Sequence, residues 1–107
     1  MFQAYQYMKM LIPEKCCQKY RVDSECVVVT NLENKMVFLN STAGDIFMHC
    51  DGKSTIQEIA EAVLQEYEVE EKKIQEDIVT AIRDFQWNEI IALRHSTTSQ
   101  TTPNDTT

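Results

Sequence analysis

The chain has 107 residues, of which 43% are hydrophobic, and its formal net charge is −7. This length fits one domain with a modest core, and the longest apolar runs are far too short to cross a bilayer. Nucleic-acid binding requires clustered basic residues, so the excess of 17 acidic over 10 basic residues disfavours it. The first residues contain no basic segment followed by an apolar stretch, and we therefore expect a cytoplasmic protein without membrane association.

The first 12 residues mix aromatic residues and methionines without a regular period. We interpret residues 1–12 as an N-terminal arm that docks on the core, with a self-association segment as the alternative. Pro13 is expected to mark the start of the folded domain, which then covers residues 13–93. Residues 94–107 are polar and lack the apolar content to form a core, so we expect a disordered tail.

Three short strands are expected next. Residues 16–22 are a weak candidate for the first, and Cys26-Val27-Val28-Val29-Thr30 is the clearest strand because valine is β-branched. A connection of hairpin length then leads to Lys35-Met36-Val37-Phe38-Leu39, which is expected to return antiparallel.

This third strand is apolar on both faces. Alternation places Met36 and Phe38 on one face and Val37 and Leu39 on the other. A half-solvated sheet needs only one apolar face, and an edge strand also presents unpaired N–H and C=O groups that proteins usually cover. From the residues alone, a core strand or a dimer edge is the more common explanation of this pattern, and addition of a peptide strand at this edge is the alternative. A proline at Val37 is expected to weaken such binding by removing a ladder donor.

The first of three helices is expected to begin at Asn40-Ser41-Thr42, whose side chains can accept from unpaired N–H groups, and to end near Cys50. Gly44 costs about 1 kcal/mol relative to alanine inside a helix, so we expect another backbone to pass close to it. The second helix begins at the capping box Thr55-Ile56-Gln57-Glu58 and ends near Tyr67.

The third helix is expected over residues 71–87, with Asn88 as its stop. Its core face consists of apolar residues at helical spacing: Ile74, Ile78, Ala81, Ile82 and Phe85. Residues 90–93 form a short apolar segment that packs back on the core. The order of elements predicts the α+β class, with a small three-stranded antiparallel sheet followed by a three-helix bundle, close to a winged helix-turn-helix.

The residue pattern contains no catalytic constellation. His49 and Cys50 are neighbours, and neighbouring helical residues do not face each other, so a nucleophile pair is disfavoured. Adjacent Cys16 and Cys17 alternate sides in an extended chain and would be poor joint ligands, so we expect reduced structural thiols and no metal or cofactor. The single Trp87 is interpreted as a core anchor. We therefore expect a binding module and not an enzyme.

Two runs resemble the coenzyme PQQ synthesis protein D (PqqD) family. They are Leu39-Asn40-Ser41-Thr42-Ala43-Gly44-Asp45-Ile46-Phe47 and Cys50-Asp51-Gly52-Lys53-Ser54-Thr55-Ile56-Gln57-Glu58-Ile59-Ala60. The family reads approximately Leu-Asn-x-Thr-Ala-x-x-Ile, then Asp-Gly, then a Thr-led helix with Ile-Ala. Residues 78–93 resemble its closing helix, although the family often ends in Gly-Leu-Leu or Gly-Leu-Ile and this chain has Asn88-Glu89-Ile90-Ile91.

The resemblance implies a standalone RiPP recognition element, which binds the leader segment of a ribosomally made precursor peptide. Such domains present the leader to a modifying enzyme, often of the radical SAM class. The leader adds to the third strand and lies in a groove against the third helix. Carried onto this chain, the implied peptide-binding residues are Lys35, Met36, Val37, Phe38, Leu39, Val79, Ile82, Arg83 and Gln86. The alternatives are a winged-helix DNA-binding regulator, which the charge disfavours, and a simple homodimerisation module.

Overall fold

The structure is a computed structural model that describes residues 3–95. In chain order the elements are α1 (Gln3–Met8), β1 (Ile12–Lys15), β2 (Lys19–Val22), β3 (Val27–Thr30), β4 (Met36–Leu39), α2 (Ser41–Met48), α3 (Ile56–Glu66), α4 (Glu71–Trp87) and β5 (Ile91–Arg94). The antiparallel sheet β2-β3-β4 precedes α2, α3 and α4, so the predicted α+β class is confirmed. Within residues 3–95, none of the helices is both long enough and apolar enough to traverse a bilayer.

A second sheet, β1 with β5, was not predicted from the sequence. Its register pairs Pro13 with Leu93. The Cys16 N–H donates to the Ile90 C=O, and hydrogen-bonded pairs alternate along an antiparallel ladder, so the position of Pro13 needs no N–H donor to β5. The expected apolar segment at 90–93 therefore packs back as a strand, which Arg94 ends with an ion pair to Glu14 at 3.1 Å. Two four-residue strands from opposite ends of the chain leave no local periodicity by which to predict their pairing. The rest of the predicted tail, residues 96–107, lies outside the described residues.

The N-terminal arm contains a short helix that docks on the helical half of the molecule. Tyr5 of α1 is only 4% exposed and belongs to the core cluster, and α1 packs against α4. Burial raises the pKa of the Tyr5 hydroxyl, and the nearby carboxylates of Glu61 and Glu71 raise it further. Docking of the arm thus removes one large aromatic residue from solvent, while self-association stays a prediction.

Local capping sets the starts of α2 and α3 as the sequence predicts. The Asn40 side chain accepts from the Ala43 N–H at 2.9 Å. Thr55 and Glu58 form both bonds of the capping box, at 3.1 Å and 2.9 Å. Each bond satisfies an N–H group that the first helical turn leaves without a partner.

Gly44 of α2 lies directly against β3. A Cβ at this position would be 2.7 Å from Val27 Cγ2 and 3.9 Å from the Val27 backbone nitrogen. The close approach predicted from the sequence is therefore present, although a side chain makes the nearest contact. The close approach fixes how α2 packs on the sheet after the chain leaves β4.

Substitution of Gly44 with alanine tests this packing. Better helix propensity favours alanine by about 1 kcal/mol, whereas overpacking costs about 1–3 kcal/mol. We expect a net loss of up to about 2 kcal/mol in the free energy of unfolding, measured by urea denaturation. Combining Gly44→Ala with Val27→Ala removes the clashing Cγ2 atom, so the double variant should lose less than the sum of the single losses. Strict additivity would contradict the contact.

Candidate functional site

The candidate site is centred on β4, the edge strand of the three-stranded sheet. In the order β2-β3-β4, only β3 pairs with it among the described residues. Its side chains alternate as predicted: Met36 and Phe38 are 56% and 66% exposed on the outer face, whereas Leu39 is buried and Val37 is half-buried on the inner face. The strand thus combines an apolar surface with an unpaired backbone edge.

The hydrogen-bond pattern shows which amides point to the free edge. The Asn31 N–H donates to the Lys35 C=O at 2.9 Å, which makes these two residues a hydrogen-bonded pair. Such pairs alternate along an antiparallel ladder, so Val37 bonds to β3 while the N–H and C=O groups of Met36 and Phe38 point outward. The Val37 N–H is thus a donor of the ladder with β3, so proline at Val37 would act on the sheet itself, and its effect on peptide binding stays a prediction.

Two clefts lie on the α4 side of the molecule, the first between β4 and α4 and the second between the start of α2 and α4. The first has a volume of about 530 Å³ and separates the start of β4 from the end of α4. Its lining consists of Asn31, Glu33, Lys35, Met36, Val37, Gln86, Trp87, Asn88 and Glu89. The second has a volume of about 310 Å³ and is lined by Asn40, Thr42, Ala43, Ile46, Asp77, Thr80 and Ala81.

The two clefts have no lining residue in common but follow each other along α4, and we use the word groove for both of them together. One wall is β4 and the start of α2, and the other is the stretch of α4 from Asp77 to Trp87. At a rise of about 1.5 Å per residue this stretch of helix is about 15 Å long. An extended segment of about five residues has a similar length at about 3.3 Å per residue. The groove therefore matches one short peptide strand.

The predicted site residues divide between the groove and the core. Lys35, Met36, Val37 and Gln86 line the first cleft. Phe38 is exposed next to it on the outer face of the sheet, whereas Leu39 is buried. These residues are brought together around the free edge.

The predicted residues on α4 are not all at the groove. Ile82 is completely buried, Val79 is 8% exposed, and Arg83 is exposed but lines neither cleft. The wall instead contains Asp77, Thr80, Ala81 and Trp87. Asp77, Thr80 and Ala81 have helical i, i+3, i+4 spacing. Ala81 belongs to the predicted core stripe and is buried, and the spacing of Asp77 and Thr80 next to it is the signal that could have indicated this wall. The sequence does not decide which of the two flanks faces the sheet.

Asn31 forms the floor of the first cleft and was not predicted as a site residue. Its side chain is buried, donates to the Asn88 C=O at 3.0 Å and accepts from the N–H groups of Glu33 and Lys35 at 2.9 and 3.0 Å. These bonds tie the β3–β4 hairpin to the end of α4. An asparagine in a polar connection is usually interpreted as a turn residue, so its tertiary role had no sequence signal.

The end of α4 forms the other rim of the first cleft. The N–H groups of Glu89 and Ile90 donate to the C=O groups of Gln86 and Phe85 at 3.0 and 2.9 Å, which is the Schellman arrangement. Glu89 has a φ of 60°, in the left-handed region where glycine is usual. The turn geometry is therefore retained although the glycine of the family pattern is replaced.

Substitution of Glu89 with glycine should stabilise the protein. The left-handed conformation costs a residue with a Cβ about 1–2 kcal/mol, and part of the gain is offset by the greater freedom of glycine in the unfolded chain. We expect the free energy of unfolding to rise by about 0.5–1 kcal/mol in urea denaturation. Glu89→Ala is the matched control, since it removes the carboxylate but keeps the Cβ. Equal effects of glycine and alanine would show that the backbone conformation is not the cause.

His49 and Cys50 at the end of α2 line neither cleft and do not form a reactive pair. Cys50 is buried, its Sγ contacts the Ile46 C=O at 3.4 Å, and burial raises the pKa of its thiol to about 12. His49 lies instead 3.8 Å from the Glu66 carboxylate. Among residues 3–95 no three potential metal-ligating side chains come together. The site offers hydrogen bonds and apolar contacts.

Residues 25–91 match the family described as coenzyme PQQ synthesis protein D (PqqD). The chain belongs to the PqqD family. A search of the curated proteins found no match. Among solved structures, the PqqD-family fold of this chain is similar to "TbiB1 in Complex with the TbiA(beta) Leader Peptide", with a TM-score of 0.62 and 15% identity over 80% of this chain and 92% of the other. At this identity the likeness concerns the fold alone. The family match includes β3, β4 and all of α2 to α4, and so both walls of the groove.

Proposed function

We propose that this PqqD-family chain is a noncatalytic RiPP recognition element. It binds the leader segment of a ribosomally synthesised precursor peptide as an added strand on β4 and presents that peptide to a modifying enzyme, which for this domain type is often of the radical SAM class. The observation that carries the proposal is the unpaired β4 edge, with the amides of Met36 and Phe38 directed outward beside the groove.

Strand addition accounts for the geometry in two ways. The outward N–H and C=O groups of Met36 and Phe38 can pair with a peptide backbone and supply affinity. Alternate peptide side chains then enter the groove against α4 and supply specificity. The similarity to a fold described in complex with a leader peptide supports a leader peptide as the ligand.

The peptide contacts we propose extend the sequence-based set. Lys35 to Leu39 supply the strand on which the peptide pairs. Leu39 is buried and supports this strand from the core. On α4, Gln86 is retained and Asp77, Thr80, Ala81 and Trp87 are added because they line the groove. Val79 and Ile82 are proposed to support the helix from its buried face.

Amide chemical shifts test this proposal. Synthetic peptides tiled across the leader of the precursor encoded beside this chain are titrated into the ¹⁵N-labelled protein. The largest shifts are expected at Met36 and Phe38, with smaller shifts at Val37 and along residues 77–87. If every peptide left the β4 amides unmoved, or moved only residues on other surfaces, the proposal would fail.

Sedimentation velocity distinguishes peptide binding at the β4 edge from homodimerisation through the same edge. Two copies that pair along β4 would dissociate when a leader peptide occupies the edge. The proposed function expects one chain per particle both without and with peptide. A stable dimer that persists in the presence of excess peptide would instead favour a dimerisation module.

A further inference from the structure

The sequence-based interpretation of Trp87 as a core anchor is wrong, because its side chain is exposed. It is the only tryptophan of the chain, and 85% of its surface is exposed although it lines the first cleft. An exposed indole ring is unfavourable in water and is typical of binding surfaces. The ring is therefore available to whatever enters this cleft.

Two carboxylates lie at the same cleft. Glu33 and Glu89 both line it, and neither forms an ion pair with another residue of the described 3–95. Glu89 takes a left-handed conformation to occupy this rim, at a position where glycine would be less strained. Lys35 is the single cation of the lining, so the carboxylates outnumber it.

We infer that this cleft binds a basic side chain, lysine or arginine, of the bound peptide. The inference rests on the proposed function and names the specificity of its site. The aliphatic stem would lie on Met36 and Val37, which carry apolar atoms at the cleft. The cation would meet the indole face of Trp87 and the carboxylates of Glu33 and Glu89, a combination of cation–π and charge-assisted contacts.

Other types of peptide side chain would make favourable contacts with fewer of the residues that line the first cleft. An aliphatic or aromatic side chain would use Trp87 and Met36 but leave the two carboxylates without a partner. An acidic side chain would be attracted by Lys35 alone and repelled by Glu33 and Glu89. The basic side chain is the one whose charge and stem both match the cleft.

Selection from a library of short random peptides displayed on mRNA tests the inference, because such a library offers every side chain at every register. Peptides captured by the unmodified protein are expected to share one lysine or arginine at a fixed register within an extended apolar pattern. Replacing that residue with glutamine should weaken binding about tenfold, measured by the change in Trp87 fluorescence and by calorimetry. In the double variant Glu33→Gln and Glu89→Gln the same peptide change should have a clearly smaller effect, with the cation–π contact to Trp87 as the part that remains.

Controls separate this inference from the proposed function. Trp87→Ala should also reduce the preference for a basic residue, Trp87→Phe should retain part of it, and Glu76→Gln on an exposed part of α4 outside the groove should leave it unchanged. Selected peptides that require the β4 edge but show no basic residue would overturn the inference and leave the proposed function standing. A selection that yields no peptide dependent on the β4 edge would overturn both.

Discussion

Substitution of Phe38 with proline is expected to weaken leader binding by about 10- to 100-fold, because it removes an outward N–H donor and leaves a peptide carbonyl without its partner. Proline is tolerated in an edge strand when its nitrogen faces away from the sheet, and the Phe38 nitrogen does so. The fold should therefore persist, as shown by an unchanged circular dichroism spectrum. Calorimetric titration with the leader peptide measures the loss.

Two variants control for the other effects of this substitution. Phe38→Ala removes the same side chain but keeps the N–H, so its binding loss should be clearly smaller than that of Phe38→Pro. Val37→Pro places the proline at an amide that bonds to β3 and should reduce the stability of the sheet. If Phe38→Pro and Phe38→Ala bound the leader equally, backbone pairing at this edge would be disproved.

Substitution of Asn31 with alanine is expected to lower the free energy of unfolding by about 3 kcal/mol, since each group left unsatisfied costs about 1–3 kcal/mol when buried and less when solvent reaches it. Three bonds are lost together: the donation to the Asn88 C=O and the acceptances from Glu33 and Lys35. Because these bonds hold the hairpin against the end of α4, leader affinity should fall as well. Urea denaturation and calorimetric titration measure the two effects.

Asn31→Asp separates the bond that this side chain donates to α4 from the two bonds that it accepts within the hairpin. The aspartate keeps an acceptor for the two hairpin N–H groups but cannot donate to the Asn88 C=O, so the connection to α4 should be lost selectively. Gln18→Ala is the matched control, because Gln18 bonds to the same hairpin from an exposed position and should cost less than about 1 kcal/mol. A loss at Asn31 as small as that at Gln18 would contradict the tertiary role assigned to Asn31.

Much of the fold could be predicted from local sequence. The bounds of α4 and the capping box at Thr55 follow from helical periodicity and from side chains that satisfy nearby N–H groups. The apolar alternation of β4 also follows from the strand period. The sheet of β1 with β5 could not be predicted, because each strand has only four residues, too few to show a period, and its partner lies at the other end of the domain.

The candidate site was predictable only in part for the same physical reason. The sequence by itself determined the α+β order of elements, the apolar β4 strand and the motif of the PqqD family. Only the tertiary structure decided that the outward amides are those of Met36 and Phe38, since this depends on the hydrogen-bond register with β3. It also decided which flank of α4 faces the edge and left Trp87 exposed at the groove, because helix orientation and burial depend on packing between segments that are distant in the chain.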